Sequence, residues 1–110
     1  MKQIKVLITG AGGAAVPGLI ESLQARGYFI VATDIDPYAS GLFLADKGCI
    51  IPRADAREFL PALRRICRDE RVDVIVPLVD EELLQVSDLE AGGLAVLLPR
   101  KEFVSTCLDK

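Results

Sequence analysis

The stretch Val6-Leu7-Ile8-Thr9-Gly10-Ala11-Gly12-Gly13-Ala14-Ala15 decides the fold. An apolar run enters glycines directly and leaves them into a helical pattern with Pro17 in its first turn. A strand that turns through glycine into a helix brings backbone amides close to a ligand. It also aims the positive end of the helix at anionic groups. The spacing Gly10-x-Gly12-x-x-Ala15 meets the dinucleotide-binding pattern in its relaxed form, with alanine third. The same turn serves proteins that bind nothing there, because the backbone needs positive φ at that point. Ligand contact through amides and plain strand–helix packing both stay open on the motif alone.

Composition narrows the class. The 110 residues make one domain, 1–110, with enough apolar surface for a single core. A hydrophobic share of 51% against 26% charged argues for a folded chain rather than a disordered one. The apolar residues are mostly aliphatic, with 5% aromatics and no Trp, which suits parallel strands buried on both faces. A net charge of −3 gives no general attraction for nucleic acid or an anionic membrane. The apolar runs are strand-length, far short of the roughly 20 residues that span a bilayer. No signal-peptide pattern opens the chain, so a cytoplasmic protein is expected. Cys49, Cys67 and Cys107 are odd in number and widely spaced, which reads as free thiols in a reducing compartment. Without His or paired cysteines, no metal site is expected.

Strands and helices alternate from end to end. A strand over 4–9 precedes a helix from near Ala15, whose Val16, Leu19, Ile20 and Leu23 form a core-facing stripe stopped by Gly27. A second strand covers 29–33. A short helix over 40–47 ends at Gly48, and a third strand covers 49–51. Asp55 with Glu58 three residues on reads as a capping box. The helix it opens carries Phe59, Leu60, Leu63, Ile66 and Cys67 on its apolar face. A fourth strand covers 72–76, closed by Pro77. Asp80 caps a further helix with Leu83, Leu84 and Leu89 inward, ended by Gly92-Gly93. A fifth strand over 94–98 and a final helix begun by Phe103, Val104 and Cys107 complete the array.

This alternation predicts an α/β fold: a Rossmann-like three-layer sandwich with a five-stranded parallel sheet in the order 3-2-1-4-5. The topological switch then lies between strands one and four. The loops 10–13 and 77–82 would face each other across the crevice where such folds bind ligands.

Four groups of residues are candidates. Gly10, Ala11, Gly12 and Gly13 form the glycine loop. Asp34 and Asp36 follow strand two, where a Rossmann domain places the acid that holds a ribose hydroxyl. The same Asp34-Ile35-Asp36-Pro37 also reads as turn chemistry, carboxylates accepting backbone amides. Asp80-Glu81-Glu82 sits at the crevice, either as first-turn acids against a helix dipole or as partners for a cationic group. Arg64, Arg65, Arg68 and Arg71 are interleaved with Asp69 and Glu70 and read as a solvated helix face. No phosphate loop of the Gly-x-x-x-x-Gly-Lys type exists. Without His there is no Ser-His or Cys-His pair, and no catalytic residue is assigned.

Two resemblances compete. The opening 8–13 resembles extended short-chain dehydrogenases and epimerases, whose Thr-Gly-x-x-Gly-x-x-Gly pattern binds NAD(P). Here Val16 stands at the last glycine, and Val76-Pro77-Leu78-Val79-Asp80 departs from what those enzymes carry after strand four. The broader match combines Val6-Leu7-Ile8-Thr9-Gly10-Ala11-Gly12-Gly13, Asp34-Ile35-Asp36-Pro37, and Asp73-Val74-Ile75-Val76-Pro77-Leu78-Val79-Asp80-Glu81-Glu82-Leu83, with Asp109-Lys110 at the end. Together these closely resemble the N-terminal, or pre-ATP-grasp, domain of ATP-grasp ligases. The nearest branch is similar to the carbamoyl-phosphate synthase large subunit.

That resemblance implies a division of labour. ATP and Mg belong to an ATP-grasp module expected beyond residue 110, in cis or in trans, so this chain holds no cofactor and is expected to be inactive alone. Its part is the acceptor-substrate side. The loop Gly10, Ala11, Gly12 and Gly13 would face a substrate carboxylate or acylphosphate, and Asp80 or Glu81 a substrate amine or hydroxyl. Asp34 and Asp36 become less important as ligand contacts. A stand-alone subunit docking to a separate ATP-grasp chain is the interaction-class alternative. The implied partners are that module and a small carboxylate or amine, not nucleic acid or membrane.

Overall fold

Lys5–Thr9 (β1) pairs parallel on both edges, with Phe29–Asp34 (β2) on one side and Val74–Val76 (β4) on the other. The computed structural model describes residues 3–78 and 95–96. Within them, Lys47–Ile50 (β3) lies outside β2, which gives the order β3-β2-β1-β4, and Ala95–Val96 (β5) runs parallel beside β4. Val16–Ala25 (α1), Ser40–Leu44 (α2) and Phe59–Glu70 (α3) connect them. The α/β class and the parallel sheet are as the alternation predicts. Of the strand expected over 94–98, Ala95 and Val96 are described; the helices expected from Asp80 and Phe103, and Cys107, lie outside the described residues.

Side chains alternate across a strand, so β1 feeds two cores. Leu7, Val31 and Ile75 cluster with Phe59, Leu63 and Cys67 of α3. Val6, Ile8, Ile30, Ala32 and Val76 cluster with Val16 and Ile20 of α1, and Leu19 and Leu23 pack against them. Helices therefore cover both faces, and the central strands are aliphatic because neither face meets water. Gly27, at φ 93, closes α1 as expected. Arg64, Arg65, Arg68 and Arg71 are exposed, in keeping with a solvated face.

Three boundaries move, each for a local reason. Asp55 does not cap α3. The helix starts at Phe59 behind Glu58, without a side-chain cap, and Asp55 lies in a turn with its carboxylate 3.3 Å from the Arg53 Nε. Pro61 forces this. Deep in a helix begun at residue 56 its ring would collide with the Arg57 carbonyl, whereas in the first turn its missing amide costs nothing. Next, α2 stops at Leu44, not at 47. Asp46 Oδ2 accepts the Ile30 amide at 2.8 Å and the Gln24 Nε2 at 3.2 Å, which draws the chain onto the sheet edge and starts β3 at Lys47. Finally, β4 begins at Val74. Arg71 takes a left-handed φ of 56 and Val72 donates its amide to the Cys67 carbonyl at 2.9 Å, closing α3. Asp73 then accepts the Lys5 amide at 2.9 Å.

Among the described residues no helix is long and apolar enough to cross a membrane. Cys67 is 4% exposed, and burial pushes its thiol up to about 11 from 9.0. The unfolded chain then loses this proton before the folded one does, so the folded state loses stability as pH rises from 9 to 11. The loss attributable to this group is on the order of 2 kcal/mol. Urea unfolding of the wild type and Cys67→Val at pH 8 and pH 10.5 should show a steeper alkaline loss in the wild type; equal slopes would remove Cys67 as the cause.

Candidate functional site

The crevice opens where β1 and β4 end. Their last paired residues are Ile8 and Val76, while β1 continues to pair with β2 as far as Thr9 and Thr33. Gly10 then turns the chain at φ 71, a conformation that side-chain-bearing residues rarely take. The next amides are each used within the chain. Ala11 donates to the Thr33 carbonyl at 3.1 Å, and Gly13 donates to the Gly10 carbonyl at 3.1 Å. Gly12 donates to Asp34 Oδ2 at 2.7 Å.

That last bond joins two of the sequence candidates directly. The other oxygen of Asp34 accepts the Asp36 amide at 2.9 Å, and Asp36 Oδ1 accepts the Tyr38 amide at 2.9 Å. Of the two readings the sequence left open for these acids, the structure displays turn chemistry at both. Asp34 adds a long-range bond that spacing could not reveal. A Cβ on Gly12 would lie 3.3 Å from Asp34 Oδ2, so glycine keeps that approach open.

The segment after β2 closes over the loop from one side. Gly41, second in α2, donates its amide to the Ala11 carbonyl at 3.0 Å. A Cβ there would stand 2.5 Å from the same oxygen, a distance backbone atoms cannot share. Ala11 is fully buried beneath this contact. The signal for Gly41 was present: glycine inside a short helix opposes helix formation unless something packs close to it.

On the opposite side, the Thr9 hydroxyl accepts the Leu78 amide at 3.0 Å, and Thr33 donates its hydroxyl to the Ile8 carbonyl at 3.2 Å. Both threonines are fully buried. Sequence reading had taken them as strand residues, and nothing in their spacing marks them otherwise. Gly10, Ala11, Gly12, Gly13, Asp34 and Asp36 thus come together in one cluster, whereas Asp80 and Glu81 lie outside the described residues. Among the described residues no group of three or more His, Cys, Asp or Glu is placed to hold a metal ion.

Chemically, the cluster is a turn in which the amides of Ala11, Gly12 and Gly13 are bonded to two of the protein's own carbonyls and one carboxylate. The helix behind it, α1, has no side-chain cap and no acid in its first turn. Asp34 brings the negative charge that bonds to the loop ahead of that helix. Asp34→Ala should cost about 1 kcal/mol in urea unfolding, and Asp34→Asn, which keeps an acceptor, less than half of that. Equal stability of all three proteins would show that the Gly12 bond contributes nothing.

Comparison with solved structures shows the fold in very different enzymes. The chain is similar to "glycinamide-RNase-transformylase T" from Mycobacterium tuberculosis, with a TM-score of 0.70 at 18% identity, covering 84% of this chain and 28% of that one. It is similar to N5-carboxyaminoimidazole synthetase from Staphylococcus aureus, solved with ADP, with a TM-score of 0.69 at 21% identity, covering 87% and 24%. It is also similar to a partial consensus L-threonine 3-dehydrogenase, with a TM-score of 0.65 at 18% identity, covering 84% and 35%. The chain spans about a quarter to a third of the length of these relatives. Comparison with curated protein sequences finds no match. The family model of the PylC-like N-terminal domain matches residues 6–94, from the first buried residue of β1 to beyond the crevice. On that match the chain belongs to the PylC-like N-terminal domain family, an N-terminal domain of the ATP-grasp kind.

Proposed function

We propose that this chain forms the acceptor-substrate wall of an ATP-dependent carboxylate–amine ligase. Its catalytic partner is an ATP-grasp module, joined in cis or docked in trans, that carries ATP and Mg. The parent reaction is phosphorylation of a carboxylate by ATP, followed by attack of an amine or similar nucleophile on the acylphosphate. The finer branch, similar to the carbamoyl-phosphate synthase large subunit, rests on the combined sequence of residues 6–13, 34–37 and 73–83 with Asp109-Lys110.

The observation that carries this reading is the bond between Gly12 and Asp34. A dinucleotide site needs the loop amides turned to a pyrophosphate and the acid after β2 turned to a ribose. Here the amide and the acid are bonded to each other, and the second carboxylate oxygen is engaged by Asp36. The rival reading, an NAD(P)-binding domain of an extended short-chain dehydrogenase, has fold likeness in its favour, but a pyrophosphate would have to break the Gly12–Asp34 bond and a ribose would have to share an acid already held at both oxygens.

The bond also shapes how the loop meets substrate. A carboxylate or acylphosphate oxygen reaching Gly10, Ala11, Gly12 and Gly13 competes with Asp34 for the Gly12 amide. Selectivity for the acceptor then falls more heavily on Asp80 or Glu81, which suit an amine or hydroxyl across the crevice. Asp34 and Asp36 act on the ligand indirectly, by holding the loop.

Titration of the 110-residue chain with NAD(H), NADP(H) and ATP should give no micromolar binding. Micromolar affinity for a dinucleotide that disappears in Asp34→Ala would overturn the ligase reading. In the enzyme that includes the ATP-grasp module, Glu81→Ala or Asp80→Ala should lower turnover with little change in folding. A stability loss of about 1 kcal/mol from Asp80→Ala without loss of turnover would instead assign that residue to helix capping.

A further inference from the structure

We propose that Thr9 is a positioning residue for the acceptor site: its hydroxyl pins Leu78, two residues before Asp80 in the chain, to the end of β1. The ladder between β1 and β4 ends at Ile8 and Val76 because Pro77 follows, and proline has no amide to extend it. The next donor along the chain is the Leu78 amide, one residue before the acidic segment begins. Thr9 Oγ1 accepts it at 3.0 Å.

The geometry makes this a pin across the switch point rather than a decoration of the strand. Thr9 is the last residue of β1 and the residue before Gly10, so one side chain stands at the root of both crevice walls. It is fully buried, and losing the hydroxyl takes the acceptor from a partly buried amide. The neighbouring Thr33 hydroxyl is committed to the Ile8 carbonyl and does not substitute for it. Beyond Leu78 the chain carries Asp80 and Glu81. The pin therefore fixes Leu78, the point from which the chain runs on to those acids, relative to the glycine loop. The pin itself stands on the Thr9–Leu78 bond; its role for an acceptor rests on the ligase reading above.

Thr9→Val keeps the shape and removes the acceptor, while Thr9→Ser restores it. Amide hydrogen exchange of the 110-residue chain should be at least tenfold faster at Leu78 and over 79–82 in Thr9→Val. Exchange at Leu7 and Val31 should be unchanged, and Thr9→Ser should return the wild-type pattern. Unaltered exchange at Leu78, or acceleration spread equally over β1, β2 and α3, would overturn the pin. In the enzyme with its ATP-grasp module, ADP release is read against a panel of L-amino acids and small amines as probe acceptors. The half-saturating concentration of an accepted amine should rise severalfold in Thr9→Val, with that of ATP unchanged, and Thr9→Ser should reverse the rise. A response in exchange without this split would leave the pin and overturn the positioning role. Acceptance of no carboxylate–amine pair by the wild type would overturn the ligase reading, and the positioning role with it, while exchange still judges the pin.

Discussion

A strand bonded on both edges and covered on both faces has freedom only at its ends, and β1 is that strand. Its neighbours β2 and β4 run parallel to it, so the chain must cross a face of the sheet to reach each of them. The clusters show which faces: α1 lies with Ile8 and Ile30, and α3 with Leu7 and Val31. The strand order reverses between β1 and β4, and folds of this kind form their crevice at the carboxyl ends of such strands without any residue being selected to make it. Pro77 sharpens the separation by ending the ladder at Val76.

Four backbone amides around the crevice find acceptors within the protein. The Thr33 and Gly10 carbonyls take Ala11 and Gly13, Asp34 takes Gly12, and Thr9 takes Leu78. A hydrogen bond to a charged group is worth about 1.5–3 kcal/mol when shielded, and less where solvent reaches it, as around Gly12. The amides of Ala11, Gly12 and Gly13 are therefore held by the protein's own acceptors. Gly41 supports the loop from behind, because a side chain in α2 would displace the Ala11 carbonyl that its amide needs.

Much of this was legible in the sequence. Aliphatic runs of strand length, glycines after Thr9 and at Gly27, and apolar stripes at helical spacing gave the elements, the strand order around β1, and the loop that turns at Gly10. Single motifs failed where another residue, near or far in the chain, intervened. The Asp55-Glu58 pair satisfies a capping box, yet Pro61 three residues further on forbids the helix that the box would begin. Asp46 looked like the tail of a helix, but the Ile30 amide on the neighbouring strand claims it. Asp34 was placed correctly at the end of β2. Its partner Gly12 lies 22 residues away, and proximity of that kind is created by the sheet register, not by spacing. Thr9 carries no signal at all, since a threonine at a strand end is ordinary until its hydroxyl is seen to meet Leu78.

The same register explains why fold likeness does not choose between a ligase and a dehydrogenase. Both enzyme types place a glycine turn after the first strand and an acid after the second, because the parallel sheet brings those points side by side. What differs is which atoms occupy the gap between them. Where the gap holds water and the acid faces outward, a ribose and a pyrophosphate can span it. Here the acid reaches back 2.7 Å to the loop, so the protein itself bridges that gap. A match over residues 6–94 to a family model reads the whole pattern, including the segment after β4, and so separates what the backbone shape leaves joined.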